Sequence, residues 1–543
     1  MNEKPLSARF SLALFLAGLL VVTAVAALER APGYMDAEYY YGGALRLAAG
    51  HGATEPYLWH YLNNPQFVPA PSFAYWMPLV SVLAAGGLKL AAGWWGARIP
   101  FVLLAACIPP LTAMLALQIT GRAAYARLAG VLALVSGFYL AYLPTTDAFA
   151  LAMVLGALFL LAAFSPRLSV VPAEGRLFLL GGIAGLMHLA RADGILWLAG
   201  AAWVGIVCHR RQYHSLPWQK SMLRLLALGL SAAFGYALVM APWFARNVQE
   251  WGSLFPPGSG RALWITRYEE TMVFPASLLT PEHWQGAGFA AHMQARLDAL
   301  GSNLQTALAV QGGIVLLPFV LAGLWRLRQC DETRLGGVMW LLMLALMTLV
   351  FPFAGKNGGF FHSGAALQPL WWALVPIGVE RLAAGYARLR PAINPATMGR
   401  FFAVLVVTIS ALLTLVLTYQ RVVGEDRNSI AWDAGQRHYR EVEQVLLAAG
   451  ATSCDPVLVN NAPGYWLVSE RSAVVIPYGG VDMLLAAAEQ YSVRYLVLEN
   501  HNPPMLGDLY REKVRPAELE HLSDVGTTRI YRITLDADQG AAK

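Results

Sequence analysis

The sequence predicts a mainly α-helical membrane protein. We expect a polytopic bundle of about eleven spans, a helical segment at the outer membrane surface and a small C-terminal α/β domain. Of 543 residues, 57% are hydrophobic and 13% are charged, whereas soluble domains average about 25% charged residues. Apolar runs recur up to residue 420, and the remaining chain is charged and mixed. This composition excludes a disordered chain, a coiled coil and an ordinary soluble enzyme.

Charge and cysteine content exclude further classes of protein. The net charge of +6 is spread over short loops between apolar runs, which argues against nucleic-acid binding. The four cysteines show neither CxxC pairing nor the His/Cys spacing of a zinc site. We therefore expect no disulfide framework and no structural zinc.

The first span is predicted at 10–28. It follows basic residues, including Arg9, that favour a cytoplasmic N-terminus. A cleaved signal peptide is the alternative, and the Ala-rich end of the run is compatible with it. The run is long for the apolar region of a signal peptide, so we favour an uncleaved helix. The other predicted spans are 98–119, 124–143, 147–164, 177–190, 194–208, 222–243, 307–327, 335–353, 364–384 and 401–420.

Segment 73–92 decides the predicted topology. If it spanned the membrane, the basic loops, such as the one with Arg122 and Arg127, would face outward, against the positive-inside rule. We therefore predict a shallow or re-entrant helix on the outer side. The N-terminus then lies on the cytoplasmic side and the C-terminal domain on the outer side of an inner (plasma) membrane.

The predicted domains are a transmembrane domain at 1–420 and an extracytoplasmic α/β domain at 421–543. Loops 29–97 and 244–306 are the long external loops of the first domain. The second has a predicted helix at 481–491. Its predicted strands are VLVNN (457–461), AVVIP (473–477), YLVLE (495–499) and TRIYRI (528–533).

Charged and titratable side chains gather at the outer ends of the predicted spans. They are Asp147, Arg191, Asp193, Arg246, Lys356 and His362. A charge at the bilayer centre costs at least about 2.5–3.5 kcal/mol. Snorkelling or a local ion pair explains any one of them, but the whole set on one side indicates a shared polar site.

The first external loop adds Asp36, just before a predicted amphipathic helix at 37–49. Asp36 could simply be the N-cap of that helix. The aromatic segments 55–65 and 69–78 could line a groove for a lipid or sugar, or form an aromatic belt.

Asp36 and Asp147 suit two kinds of chemistry. One carboxylate can act as general base on an acceptor hydroxyl, amine or amide. The pair could instead bind a divalent cation, Mg²⁺ or Mn²⁺, that neutralises a phosphate leaving group. The predicted phosphate-binding side chains are Arg191, Arg246, Lys356 and His362.

Four stretches carry a family resemblance. They are DAEYYYGGALRLAAGHG (36–52), the run 96–149 with its Gly-Arg turn and closing acid, GGIAGLMHLARADGILWL (181–198) and APWFARNVQEWGSLFP (241–256). In order and topology, residues 10–420 resemble the GT-C glycosyltransferases, membrane enzymes that use polyprenyl-phosphate-linked sugars. More narrowly, they are similar to the family 39-like group of bacterial protein mannosyltransferases and aminoarabinose transferases.

The resemblance implies an outward active site beside a lipid-facing donor groove. Asp36 takes the position of the catalytic base and Asp147 that of the second acid, with Glu38 and Asp193 as accessory residues. The group often has adjacent Asp and Glu, whereas here Ala37 intervenes, which puts the participation of Glu38 in doubt. The expected reaction is transfer of a hexosyl or pentosyl group with inversion. No WWDYG-like signature is present, so transfer of a whole glycan is less favoured.

Two other functions remain open. A lipid or polyol transporter or flippase would also have many apolar spans, but its charged sites usually lie at mid-membrane. The third hypothesis treats 421–543 as a sensory or assembly module with the spans as its anchor. For the transferase, the sequence leaves open whether the acceptor is a protein, a lipid or a glycan.

Overall fold

Helices follow the apolar runs of the chain. The computed structural model describes residues 6–166, 170–213, 215–390, 392, 394–426 and 429–535. The first half forms α1 (Ala8–Leu28), α2 (Met35–Ala48), β1 (Thr54–Glu55), β2 (Tyr57–Leu58), β3 (Ala70–Pro71), α3 (Leu79–Leu88), α4 (Gly93–Thr120), α5 (Ala123–Leu134), α6 (Ala148–Phe164), α7 (Ala173–Ala190), α8 (Trp197–Gln212) and α9 (Trp218–Trp251). The bundle continues with α10 (Pro257–Arg261), α11 (Pro281–Gly286), α12 (Gly288–Thr306), α13 (Leu317–Arg326), α14 (Asp331–Ala345), α15 (Pro352–Ala354), α16 (Phe360–Ala365), α17 (Gln368–Leu389) and α18 (Pro395–Thr418).

Six helices of the described residues are long and apolar enough to cross a membrane. They are Ala8–Leu28, Gly93–Thr120, Ala192–Gln212, Trp218–Trp251, Asp331–Val350 and Pro395–Val423. Shorter apolar helices lie at α3, α5, α6 and α13. The predicted class, a polytopic helical bundle, is confirmed.

Two predicted spans are interrupted. The α-helix in the run 124–143 ends at Leu134, where Val135 leaves the helical conformation with φ of −106° and ψ of 69°, and Gly137 follows in a left-handed conformation with φ of +62°. The run 307–327 breaks at Gly313 and Ile314, whose φ angles are +52° and +55°. An apolar pattern predicts burial along a run but does not report a backbone reversal within it.

Segment 73–92 contains only the ten-residue helix α3. At 1.5 Å per residue this helix is about 15 Å long, half of the roughly 30 Å needed to cross the hydrocarbon core. It packs against α2 and α4. The segment therefore has the short helix predicted for it rather than a span.

Gly156 allows the closest approach between α6 and the chain after α16. A Cβ at this position would lie 1.9 Å from the backbone oxygen of Ala366. Only glycine permits this contact without a shift of the backbone. The contact packs α6 against the segment that contains His362.

The C-terminal region forms a six-stranded mixed sheet with flanking helices. Its elements are α19 (Ala434–Ala448), β4 (Val457–Val459), α20 (Ala462–Ser469), β5 (Ala473–Val475), α21 (Val481–Gln490), β6 (Tyr495–Leu498), α22 (Gly507–Tyr510), β7 (Leu519–Val525) and β8 (Thr528–Ile533). The strand order is β2-β5-β4-β6-β8-β7, with β7 and β8 antiparallel to their neighbours.

The four predicted strands and the predicted helix are confirmed as β4, β5, β6, β8 and α21. Strands β2 and β7 were not predicted. Tyr57 and Leu58 of β2 come from the first external loop and pair in parallel with β5. The small sheet is thus built partly from chain that precedes the second helical half of the bundle.

Candidate active site

Asp36, Asp147 and His362 meet at one end of the bundle, and we call them the acidic cluster. Asp36 lies in the first turn of α2, Asp147 caps α6 and His362 lies in α16. His362 Nε2 is 3.3 Å from Asp147 Oδ2 and 3.7 Å from Asp36 Oδ2. The side chain of Asp147 is 1% exposed and that of Asp36 is 28% exposed. Asp36 is therefore the carboxylate that an incoming molecule can reach.

Asp147 is held in place by its neighbours. Tyr34 Oη donates a hydrogen bond to Asp147 Oδ2 at 2.7 Å and lies 3.1 Å from Thr145 Oγ1. The backbone N–H of Ala148 donates to the other carboxylate oxygen. With its oxygens occupied, Asp147 is suited to orient His362 rather than to accept a proton from a substrate.

The ring of His362 has a defined orientation. It stacks on Phe149 with a centroid distance of 4.2 Å and an interplanar angle of 20°. His362 Nδ1 is 2.9 Å from the carbonyl oxygen of Gly358, which can only accept a hydrogen bond. Nδ1 therefore carries a hydrogen, and Nε2 is directed toward the two carboxylates.

Burial and charge set the protonation of the cluster. Burial and the neighbouring charge of Asp147 raise the pKa of Asp36 to about 6, against the opposing charges of His362 and Arg191. Burial lowers the pKa of His362, but the carboxylates of Asp147 and Asp36 outweigh it, so the net shift is upward. Near neutral pH, Asp36 is mainly ionised and His362 tends to stay protonated.

Arg191 is the predicted cation whose charge reaches the acidic cluster. It lies between α7 and α8, and its guanidinium lowers the pKa of Asp36. Arg191 Nε donates to Asp193 Oδ1 at 2.9 Å, and both side chains are mostly buried. Asp193 is thus the ion-pair partner that orients Arg191.

The structure places Arg246 and Lys356 in other surroundings. Arg246 donates to the backbone oxygen of Ser72 at 2.8 Å and stacks over Trp251 at 4.4 Å. Lys356 Nζ lies 3.2 Å from Asp298 Oδ2 in a half-exposed ion pair. No contact between either cation and the acidic cluster is found within the described ranges, and their phosphate-binding role stays a prediction.

Glu38 faces away from the acidic cluster. Two residues along α2 from Asp36, its carboxylate accepts a hydrogen bond from Asn461 Nδ2 at 2.7 Å. Burial raises the pKa of Glu38 to about 7, and the bond from Asn461 opposes this shift. Glu38 connects α2 to the C-terminal region.

An apolar groove of about 730 Å³ lies along α13 and α14. One end is formed by Leu304, close in sequence to Ser302, whose hydroxyl donates to the backbone oxygen of Lys356 at 3.2 Å. The far end contains Arg328 and Arg334. The volume and the apolar lining of this groove can accommodate a long apolar chain.

The acidic cluster also has the composition of a metal site. One ligand atom from each of Asp36, Asp147 and His362 lies within 4.8 Å of the others. Two carboxylate oxygens and an imidazole nitrogen suit a transition ion such as Mn²⁺ better than Mg²⁺, which prefers oxygen ligands. The residues therefore fit a divalent cation once His362 Nε2 has lost its proton, because only the neutral imidazole binds a metal.

Sequence reasoning did not identify the groups that hold the cluster. Tyr34 lies two residues before Asp36, and Thr145 and Phe149 each lie two residues from Asp147. Aromatic and hydroxyl side chains this close to a candidate acid are the signal that could have identified them.

Comparison with solved structures identifies the fold. ArnT from Cupriavidus metallidurans bound to undecaprenyl phosphate matches with a TM-score of 0.55 and 15% identity over 98% of this chain and 99% of that chain. Its apo state matches with a TM-score of 0.54 and 16% identity over 96% and 97%. The archaeal oligosaccharyltransferase AglB from Archaeoglobus fulgidus, in complex with an inhibitory peptide and a dolichol-phosphate, matches with a TM-score of 0.52 and 14% identity over 90% and 69%.

These likenesses confirm the GT-C fold that the sequence motifs predicted. Together with the six long apolar helices, they identify an integral membrane protein. No family model and no curated protein sequence matches this chain.

Proposed function

We propose that this protein is a glycosyltransferase that moves a sugar from a polyprenyl-phosphate donor to an acceptor on the extracytoplasmic side of the membrane. The observation that carries the proposal is the acidic cluster, a partly accessible carboxylate backed by a buried Asp–His pair. The apolar groove provides space for a prenyl chain. The GT-C neighbours, with undecaprenyl phosphate and dolichol-phosphate in their structures, support this donor class.

In the proposed reaction Asp36 is the general base. An acceptor oxygen or nitrogen forms a bond to the anomeric carbon of the sugar while its proton passes to the Asp36 carboxylate. The bond from the anomeric carbon to the phosphate oxygen breaks, and its electron pair leaves with the polyprenyl phosphate. A single displacement from the opposite face inverts the anomeric configuration.

The other residues position the donor and stabilise charge. Arg191 and protonated His362, the cations beside Asp36, are the side chains proposed to stabilise the negative charge that the phosphate gains. Lys356 accepts a hydrogen bond at its backbone oxygen from Ser302, close in sequence to the groove residue Leu304, and its exposed ion pair with Asp298 can open at little cost in free energy. Arg246 is the fourth proposed phosphate ligand, and its contact with Ser72 also fixes the first loop.

A divalent cation, if bound, would be held by Asp36, Asp147 and His362 and would neutralise charge on the departing phosphate. It would compete with the acceptor proton for the Asp36 carboxylate. Titration of Mn²⁺ into wild type and Asp147→Asn, followed by the spin-resonance signal of free Mn²⁺, tests this site without an activity assay.

Native mass spectrometry of co-purified lipid tests the donor class. We expect a polyprenyl phosphate on wild type and its loss in the Arg191→Ala/Lys356→Ala double variant. Arg210→Ala/Arg400→Ala is the matched control, because it removes two exposed cations far from the cluster. Only bulk phospholipid on all three proteins would contradict a polyprenyl-phosphate donor.

A lipid transporter or flippase is the second candidate, and one observation favours it. The apolar groove has charged residues, Arg328 and Arg334, in its otherwise apolar lining, and a lipid that moves across the membrane needs such a surface for both its chains and its headgroup. Asp36→Asn separates the two functions. A transferase loses sugar transfer in this variant, whereas a flippase keeps its rate of lipid translocation in vesicles.

A further inference from the structure

A polar cavity of about 670 Å³ lies among the ends of α4, α13 and α17. We call it the arginine pocket. Its charged lining residues are Arg122, Arg326, Glu380, Arg381 and Arg388. Four guanidinium groups therefore face one carboxylate in this cavity.

The arginine pocket lies at the end of the bundle opposite the acidic cluster. Helix α17 begins at Gln368, shortly after His362, and Arg388 lies in its last turn. Twenty residues of helix correspond to about 30 Å, the thickness of the hydrocarbon core of a bilayer. The two polar sites are thus separated by the thickness of a membrane.

Most of the positive charge in the arginine pocket is available to a ligand. Glu380 is engaged by Arg122 at 3.0 Å and by the hydroxyl of Tyr125. Arg381 and Arg388 are exposed, as is Arg326. Their side chains make no hydrogen bond to any residue that the structure describes, so three guanidinium groups can bind an external anion.

Apolar side chains lie between these charges. Ile119, Leu327, Ile377 and Leu382 line the same cavity. A free phosphate would use only the guanidinium groups, whereas a phospholipid would also place the upper part of its acyl chains against these four residues. The mixed lining therefore favours an amphiphile over a soluble anion.

We propose that the arginine pocket binds the phosphodiester headgroup of an anionic phospholipid, in the leaflet opposite the acidic cluster. The planar guanidinium forms paired hydrogen bonds with phosphate oxygens. Basic pockets between membrane helices suit anionic headgroups for this reason. The proposal does not rest on sugar transfer, and the lining of this pocket shares no residue with the lining of the apolar groove.

Binding to full-length protein in detergent tests the proposal. The probe is phosphatidylglycerol, with phosphatidylcholine and inorganic phosphate as comparisons, and bound lipid is counted by native mass spectrometry. The site variant is Arg326→Gln/Arg381→Gln/Arg388→Gln, which leaves the pair of Arg122 and Glu380 intact.

The matched control is Arg9→Gln/Arg210→Gln/Arg400→Gln. It removes three exposed arginines at helix ends outside the pocket, on the same side of the bundle. We expect the site variant to lose affinity for phosphatidylglycerol by about 100-fold, and the control to keep wild-type affinity.

Two results would overturn the proposal. One is equal retention of phosphatidylglycerol by the site variant and the control. The other is displacement of the lipid by millimolar inorganic phosphate, which would assign the pocket to a soluble anion. If the triple variant does not fold, Arg388→Gln alone is expected to weaken lipid binding by about fivefold.

Discussion

The two polar ends of the bundle contain the same kinds of group in opposite settings. In the acidic cluster Asp147 is 1% exposed and is held by His362 and Tyr34. In the arginine pocket the side chains of Arg122 and Glu380 are 45% and 57% exposed. Because the acidic cluster is buried, the charge of each member depends on the charges of the others. In the arginine pocket, water solvates each charged side chain separately.

This difference has energetic consequences. An exposed ion pair contributes about 0–1 kcal/mol to stability. Removal of one member of a buried, hydrogen-bonded charge pair leaves the other uncompensated and costs several kcal/mol. The effects of substitutions at the two ends, on transfer rate and on stability, should therefore differ in size and in kind. The predictions below run from the largest expected effect to the smallest.

Asp36→Asn should have the largest effect. It preserves shape but removes the proposed base, so the rate of sugar transfer should fall by about 10²–10⁴-fold. Glu38→Gln, on the same helix but directed at Asn461, should change the rate by no more than a few-fold. Turnover by the purified variants measures both rates. Equal losses of rate in the two variants would contradict the assignment of Asp36, rather than Glu38, as the base.

The pH profile is the second test of the buried cluster. Burial and Asp147 raise the pKa of Asp36 to about 6, so the base is ionised above this pH and protonated below it. The transfer rate should fall about tenfold per unit as pH decreases below 6. The Glu38→Gln variant should show the same decrease in transfer rate below pH 6. A rate that stays constant down to pH 4 would exclude Asp36 as the titrating base.

Lys356→Gln and Arg246→Gln compare an exposed cation with a partly buried one. Since the ion pair of Lys356 with Asp298 is exposed, Lys356→Gln should fold normally and raise KM for the donor by about tenfold, the loss of one charge-assisted contact. Arg246→Gln should instead lower the thermal unfolding temperature, because Arg246 binds the backbone of the first loop. If KM for the donor were unchanged in both variants, neither cation would belong to the donor site.

Arg122→Gln should have the smallest effect. It breaks the exposed pair with Glu380 at the opposite end, and the free energy of unfolding should change by less than about 1 kcal/mol. Thermal unfolding in the same detergent measures the change. If Arg122→Gln destabilised the protein as much as Arg246→Gln does, the exposure of a charged side chain would not determine how much its removal costs in stability.

The sequence predicted which residues form the site better than it predicted their geometry. Asp36, Asp147, Arg191 and His362 were expected at one side of the membrane, because charged groups interrupt apolar runs there. The contacts of Arg246 with the first loop depend on tertiary packing and could not be predicted.

The same limit applies to the fold. Runs of apolar residues predicted the helices, and short runs rich in β-branched, aromatic and other apolar residues predicted β4, β5, β6 and β8. Strand β2 was missed because its two residues become a strand only by pairing with β5. A segment this short has no periodicity of its own.

Composition and apolar runs are local properties, and they were sufficient for the helical membrane class and for naming Asp36, Asp147 and His362 as candidate site residues. The distances among Asp36, Asp147 and His362 come from three segments of the chain that only helix packing brings together. The tertiary structure therefore decided which carboxylate is buried and which is accessible. The physical reason is that burial, and the pKa shift that follows from it, depends on neighbours far away in sequence.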